Sequence, residues 1–325
     1  MNVTKRLAGP VAGALALGLA LSSCAISDDQ GTGTDLAGGS IKSDLLKGDS
    51  FTVGSKDFDE QLLLGQITLV ALKAAGASTT DKTNIQGTSN TRAALVKGDI
   101  DMYWDYTGTG WITFLKNTKP IPDSQKQYEA VKKEDLAKNK IAWLDPAPAN
   151  NTYAIAAKQP TIDKYKTKTL SDYAALAKKD PQAASICVES EFKSRDDGFP
   201  GVEKTYGFTL PDNQEKLLDT AVVYTTLNKG GTCNFGEVFE TDGRVSGLNL
   251  VLLKDDKSFF PIYNPALTMQ EATAEKYPEL ADLFKPIAAK LTTEELSSLN
   301  KKVSVDGEKP NAVATEWLKS NGFIG

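Results

Sequence analysis

The chain contains no histidine. That absence removes Ser-His-Asp and Cys-His nucleophilic catalysis, imidazole acid–base work and most zinc sites in one step. No Gly-rich phosphate loop of the Walker type and no dinucleotide-binding fingerprint is present, so no cofactor is expected. There is no long basic run, and the formal net charge is -5. Both argue against nucleic acid as a partner. After the N-terminal segment, no stretch approaches the ~20 apolar residues of a membrane span. One enzymatic option survives these exclusions, a carboxylate pair of the glycosidase kind, from Asp101 and Asp105. They stand four apart on one predicted strand, and solvated or supporting acids is the preferred reading of them.

The composition is that of a globular protein, 40% hydrophobic and 24% charged over 325 residues. That is enough chain for two domains of ordinary size. The N-terminus reads as a targeting segment. Lys5 and Arg6 precede the apolar run 7–21, which is too short to span a membrane comfortably. Leu21-Ser22-Ser23-Cys24 follows and resembles the bacterial lipobox, in which the cysteine is lipidated. Residues 1–23 are therefore expected to be a lipoprotein signal peptide and Cys24 a lipid anchor, the alternative being a simple cleaved signal. Residues 24–49, rich in Gly, Ser, Asp and Thr, read as a flexible tether. Of three cysteines, Cys187 and Cys233 remain, in a compartment that favours disulfides. A bridge between them would close a loop of about 46 residues and contribute on the order of 4 kcal/mol. The alternative is two free buried thiols.

The segment Asp99–Trp104 alternates acidic with apolar or aromatic residues and predicts a short strand. It runs into Tyr106-Thr107-Gly108-Thr109-Gly110, where two glycines let the backbone turn and approach closely. Open α/β sheets bind ligands just outside such strand ends. Before it, Phe51–Gly54 reads as a strand; Ser55–Glu60 then supplies a capping residue and first-turn acids for a helix that runs on through Ala71 and stops at Gly76. A helix starting at Ser89 follows and runs to Gly98. After it come a charged helix 125–139 and a strand 141–144. The proline-rich stretch 145–151 then makes a stiff break before the strand Thr152–Ala157. The middle repeats the α/β grammar, and Asn249–Leu253 is read as a strand able to return to the first lobe. Helices at 271–276, 280–291, 293–302 and 311–320 close the chain. The fold class is α/β. Two lobes are expected, 50–148 plus 256–325 and the inserted 149–255, joined by a hinge with a cleft between them.

The residues at predicted strand ends suit binding rather than bond chemistry. Tyr106, Tyr153, Phe239 and Tyr263 offer ring faces, each worth about 0.5–2 kcal/mol toward a desolvated cation. Lys56 and Arg195 lie in polar turns, where they could meet a carboxylate.

Several segments carry a family resemblance: Val53–Gln61, Leu95–Asp101, Tyr106–Thr109, Glu191–Gly198, Thr241–Arg244 and Phe260–Tyr263. In these, and in their order, the chain resembles the solute-binding proteins of bacterial glycine betaine/carnitine/choline ABC importers. The resemblance covers about 50–325. It implies the two-lobe type II periplasmic-binding fold, a ligand with a quaternary ammonium group, and a monomer that docks on a membrane permease. It further implies that Tyr106, Tyr153 and Tyr263 form a cage, that Lys56, Thr109 and Arg195 hold a ligand carboxylate, and that Thr241 belongs to the same site. Phe239 stands where the family usually has tyrosine, keeping the ring and losing the hydroxyl. Two other readings stay open. One is a binding protein of this fold for an amino acid or polyamine, the latter expected to show more cleft acids than rings. The other is a secreted carboxylate hydrolase using Asp101 or Asp105.

Overall fold

A computed structural model describes residues 36–325. The predicted signal peptide and Cys24 lie outside the described residues. Among the described residues, ten strands form two five-stranded sheets. In chain order they are β1 (Ser50–Lys56), β2 (Ser78–Ile85), β3 (Met102–Tyr106), β4 (Ile141–Trp143) and β5 (Tyr153–Lys158). Then come β6 (Ile186–Val188), β7 (Glu215–Leu217), β8 (Phe235–Phe239), β9 (Leu250–Leu252) and β10 (Pro265–Gln270).

The first sheet has the order β2-β1-β3-β10-β4 and the second β7-β6-β8-β5-β9. In each, three strands run parallel and the last two alternate in direction. The chain leaves the first sheet after Trp143, enters the second at Tyr153, and comes back between Leu252 and Pro265.

Local chemistry explains the main elements. The helix Asp59–Ala74 has Asp59 and Glu60 in its first turn and Lys73 in its last, complementing the helix dipole. It buries Leu63, Leu64, Ile67, Val70 and Ala71 in the first core. It ends where Gly76 turns with φ of 93°. Strand β3 is buried along its whole length, which fits its place inside the sheet. In the second lobe, Thr169 and Asp172 form a reciprocal capping box that starts the helix Leu170–Lys179.

Three expectations need correction. The predicted tether to residue 49 does not hold over its described part. Ile41 and Leu46 are buried in the first core, and Leu46 donates its amide to Ala75 O at 2.8 Å. Ser40 and Ile41 donate to the carbonyls of Gly322 and Phe323. A few well-placed apolar residues suffice to dock this segment, although the stretch has no periodicity. Secondly, the strand at 249–253 does not return to the first sheet: β9 pairs antiparallel with β5 as an edge of the second. The strand that does return is β10, hidden in the sequence behind the prolines at 261 and 265. Pro265 is its first residue, where a missing amide is tolerated. Thirdly, β2 was not expected. It is a polar, mostly exposed edge strand whose sequence Ser-Thr-Thr-Asp-Lys-Thr-Asn-Ile has no apolar face to read.

Cys187 and Cys233 are joined in a disulfide, Cα–Cα 5.7 Å. It ties β6 to the loop before β8. Among the described residues, no helix is long and apolar enough to cross a membrane.

Candidate functional site

The carboxyl ends of β1, β3, β6 and β8 converge on one cleft between the two sheets. Its cavity has a volume of ≈ 460 Å³ and is lined by Lys56, Phe58, Tyr106, Thr109, Asn151, Tyr153, Arg195, Phe239 and Tyr263, among others. Seven of the eight ligand-binding residues expected from the sequence are in this lining. Thr241 is not: it is fully buried, and its hydroxyl donates to Glu60 Oε2 at 2.5 Å.

The rings form a continuous group. Phe58 stacks with Tyr106 at 6.2 Å and 21°, and with Phe239 at 5.3 Å and 18°. Tyr153 lies 5.1 Å from Phe239 and meets Tyr263 edge-on at 5.6 Å and 84°. The strand registers set this up. Tyr153 faces Phe239 across β5 and β8, and Tyr106 faces Pro265 at the start of β10. The turn after β3 needs its glycine, because a side chain at Gly108 would come within 2.6 Å of the Tyr263 ring.

Both cleft cations have carboxylate partners. Lys56 Nζ is 2.9 Å from Asp105 Oδ1 and 5.1 Å from the centroid of the Tyr106 ring. Asp105 also accepts from Tyr103 Oη at 2.5 Å and from the Tyr106 amide at 2.8 Å. Arg195 donates twice to Asp197, at 2.7 and 2.6 Å, and lies 5.8 Å from the centre of the Tyr153 ring. Tyr263 Oη donates to the same Asp197 at 2.7 Å. These two pairs compensate the buried charges, since an unpaired buried ion is expensive.

Asp101 and Asp105 do not form a catalytic pair. Asp101 stands just before β3 and accepts from the Thr52 amide at 2.6 Å, while Asp105 is fully buried on Lys56. Both are supporting acids, as in the preferred reading: Asp101 holds a backbone amide, and Asp105 holds the cavity-lining Lys56. Among the described residues, no group of three or more His, Cys, Asp or Glu side chains is placed to hold a metal ion.

The sequence reading missed Phe58, Asn151 and the acidic wall of the cleft. Phe58 lay within a quoted motif but at a helix start, where a ring carries no signal of its own. At the mouth, the Thr88 amide of the first lobe donates to Glu191 Oε1 of the second at 2.6 Å. Glu189 and Glu191 line the cavity, and the buried Glu237 behind them accepts the Glu189 amide at 2.8 Å. Burial, with Glu189 and Glu191 nearby, pushes the Glu237 carboxyl up to about 8. Burial also holds the Tyr106 hydroxyl well above its ordinary range, the neighbouring Glu60 adding to the effect.

With this geometry in view, the family model described as the substrate binding domain of ABC-type glycine betaine transport systems matches residues 49–320. The chain is 36% identical to the glycine betaine-binding protein YehZ of Escherichia coli, over 83% of this chain and 90% of that protein. It is 31% identical to a glycine-betaine-binding protein of Pseudomonas aeruginosa, over 86% and 90%. Among solved structures, a glycine betaine/carnitine/choline ABC transporter protein superposes with a TM-score of 0.68 at 26% identity, covering 83% of this chain and 98% of that one.

Proposed function

Because the chain belongs to the family of substrate-binding domains of ABC-type glycine betaine transport systems, we propose that it captures a quaternary ammonium solute in the cleft between its lobes and hands it to a membrane permease. The family is one of extracytoplasmic binding proteins, not of enzymes, so no bond is made or broken.

The observation that carries the reading is the ring group. Five aromatic side chains from both lobes line one cavity, Phe58, Tyr106, Tyr153, Phe239 and Tyr263. A quaternary ammonium group cannot donate hydrogen bonds, and ring faces are its natural receptors. The cavity acids Asp57, Glu189, Glu191 and Asp219 are fewer than the rings. That balance favours a quaternary ammonium over a polyamine. A carboxylate on the same ligand would lie toward Lys56, Thr109 and Arg195. Thr241 would serve from behind the cage rather than touch the solute.

The molecular organisation belongs to the same proposal: residues 1–23 as a signal peptide, Cys24 as a lipid anchor, a monomeric body with lobes at about 50–148 plus 256–325 and 149–255, and hinge closure around the solute. Glycine betaine is the leading ligand.

The test is a tryptophan-fluorescence and thermal-shift titration with glycine betaine, carnitine, choline, proline and spermidine. Ligand at 100 times its dissociation constant should add about 2.7 kcal/mol of stability. A response to the quaternary amines that is lost in Tyr153→Ala supports the cage. A response to spermidine alone would replace it with the polyamine reading.

A further inference from the structure

Glu60 is the second residue of the helix Asp59–Ala74 and is 3% exposed. It does not line the cavity. Four side chains donate to it. Oε1 accepts from Tyr106 Oη at 2.8 Å and from Asn151 Nδ2 at 2.9 Å. Oε2 accepts from Thr241 Oγ1 at 2.5 Å and from Asn300 Nδ2 at 2.8 Å. Two donors on each oxygen fill the acceptor capacity of a carboxylate.

The donors come from distant parts of the chain. Tyr106 ends β3, Asn151 lies in the crossing between β4 and β5, and Asn300 sits on the helix Thr293–Ser304. Thr241 alone follows a strand of the second sheet, β8. Asn300 Nδ2 also donates to Thr241 O at 2.9 Å, so the Thr241 contact is held at two points. The neighbouring turn is seated tightly: a side chain at Gly243 would come within 2.2 Å of the Lys301 backbone. Beside it, Arg244 reaches Asp59 at 3.1 Å. Among the described residues, no cation pairs with Glu60. Burial raises its carboxyl and the donated hydrogen bonds oppose that, so its position depends on those bonds.

We propose that Glu60 is a positioning residue that couples the placement of the Tyr106 ring to closure of the lobes through Thr241. It rests on the cleft being the solute site. One oxygen fixes the hydroxyl of a cage ring. The other is satisfied in full only when the second lobe stands against the first. Opening the cleft removes the Thr241 donor from a carboxylate that has no counter-ion, and so raises the free energy of the open form. Solute affinity then depends on a residue that never touches solute.

The experiment uses the full chain and two readouts. One is the dissociation constant for glycine betaine. The other is hydrogen exchange at the Thr88 amide without any solute, since that amide bonds across the cleft mouth to Glu191. Thr241→Val removes the hydroxyl and little else, and Thr241→Ser restores it. The expected result is about tenfold faster Thr88 exchange and about tenfold weaker binding in Thr241→Val, each recovered in Thr241→Ser, the scale of one hydrogen bond to a charged group. Glu60→Gln should behave like Thr241→Val where it folds. Parental exchange and affinity in Thr241→Val would overturn the coupling. If no solute binds the parent, the cleft reading fails by itself, and Thr88 exchange still decides whether Glu60 holds the lobes together.

Discussion

The two sheets share a strand order and a pattern of directions, yet they are stabilised differently. In both, the third strand ends in a cleft ring, Tyr106 on β3 and Phe239 on β8, opposite an antiparallel partner. In both, a cation near the cleft is neutralised by a buried aspartate, Lys56 by Asp105 and Arg195 by Asp197. The first lobe gains in addition a core that gathers the docked segment around Leu46, the helix Asp59–Ala74 and the C-terminal helices. The second is cross-linked by Cys187–Cys233 and carries a buried acid, Glu237, that accepts a backbone amide and has no ion pair among the described residues. One topology thus supplies the same positions for binding groups, while the covalent cross-link falls on the second lobe.

The largest effect expected from that contrast is the pH dependence that Glu237 adds in the second lobe. Glu237 has its carboxyl raised by burial from 4.5 to about 8. A carboxyl raised on folding contributes stability that is fully present below its unfolded value and is lost as pH climbs through its folded value. Stability should therefore fall between pH 4.5 and about 8, by on the order of 5 kcal/mol if Glu237 acts alone. Urea melts of Glu237→Gln, which keeps an acceptor for the Glu189 amide, should fall less steeply than the parent over that window. An unchanged slope would mean the contrast lies elsewhere.

Next is the disulfide. Its 46-residue separation predicts a loss of about 4 kcal/mol on removal, through entropy regained by the unfolded chain. Denaturation of Cys187→Ala/Cys233→Ala, followed by probes in each lobe, should shift the second lobe first. Equal shifts in both would show that the lobes unfold as one unit. The first lobe offers a matching test. Asp105→Ala strands Lys56, which is 3% exposed, and should cost about 3 kcal/mol. Lys56→Met in the same background should recover part of it in the urea midpoint.

How much of this was legible in the sequence depended on whether a signal was local. The charged helix read at 125–139 is found at Ser124–Asn139 with Asp123 as its cap, since its start and stop signals lie within its own length. Four of the five cleft rings were legible because strand ends and family motifs coincide, and Phe58 was not. Strand β2 was not, because a polar edge strand repeats nothing, and β10 was hidden by the prolines beside it. Asp105 was visible as an acid, but its partner lies 49 residues away. Glu60 lay inside the motif Val53–Gln61, yet its donors Thr241 and Asn300 are 181 and 240 residues distant. No local pattern can announce a carboxylate that is satisfied only by the folded chain.

The smallest effect is the most telling, since it exchanges the two equivalent rings. Tyr106→Phe removes a hydroxyl that donates to Glu60 at 2.8 Å inside the protein. It leaves a buried carboxylate short of one donor, which should cost about 1–3 kcal/mol. Phe239→Tyr adds a hydroxyl to a ring that is only half-buried and lines the cavity. No donor is lost, and the stacking with Phe58 and Tyr153 is kept. Its cost to the unliganded protein should stay within about 0.5 kcal/mol. The pair of melts therefore predicts an asymmetry between positions that the topology makes alike. If Phe239→Tyr costs as much as Tyr106→Phe, the hydroxyl at 106 is not special and the two lobes present interchangeable rings. If the asymmetry is found, the first lobe's ring is fixed before any solute arrives. The second lobe's ring is then the one free to vary with the solute it must fit.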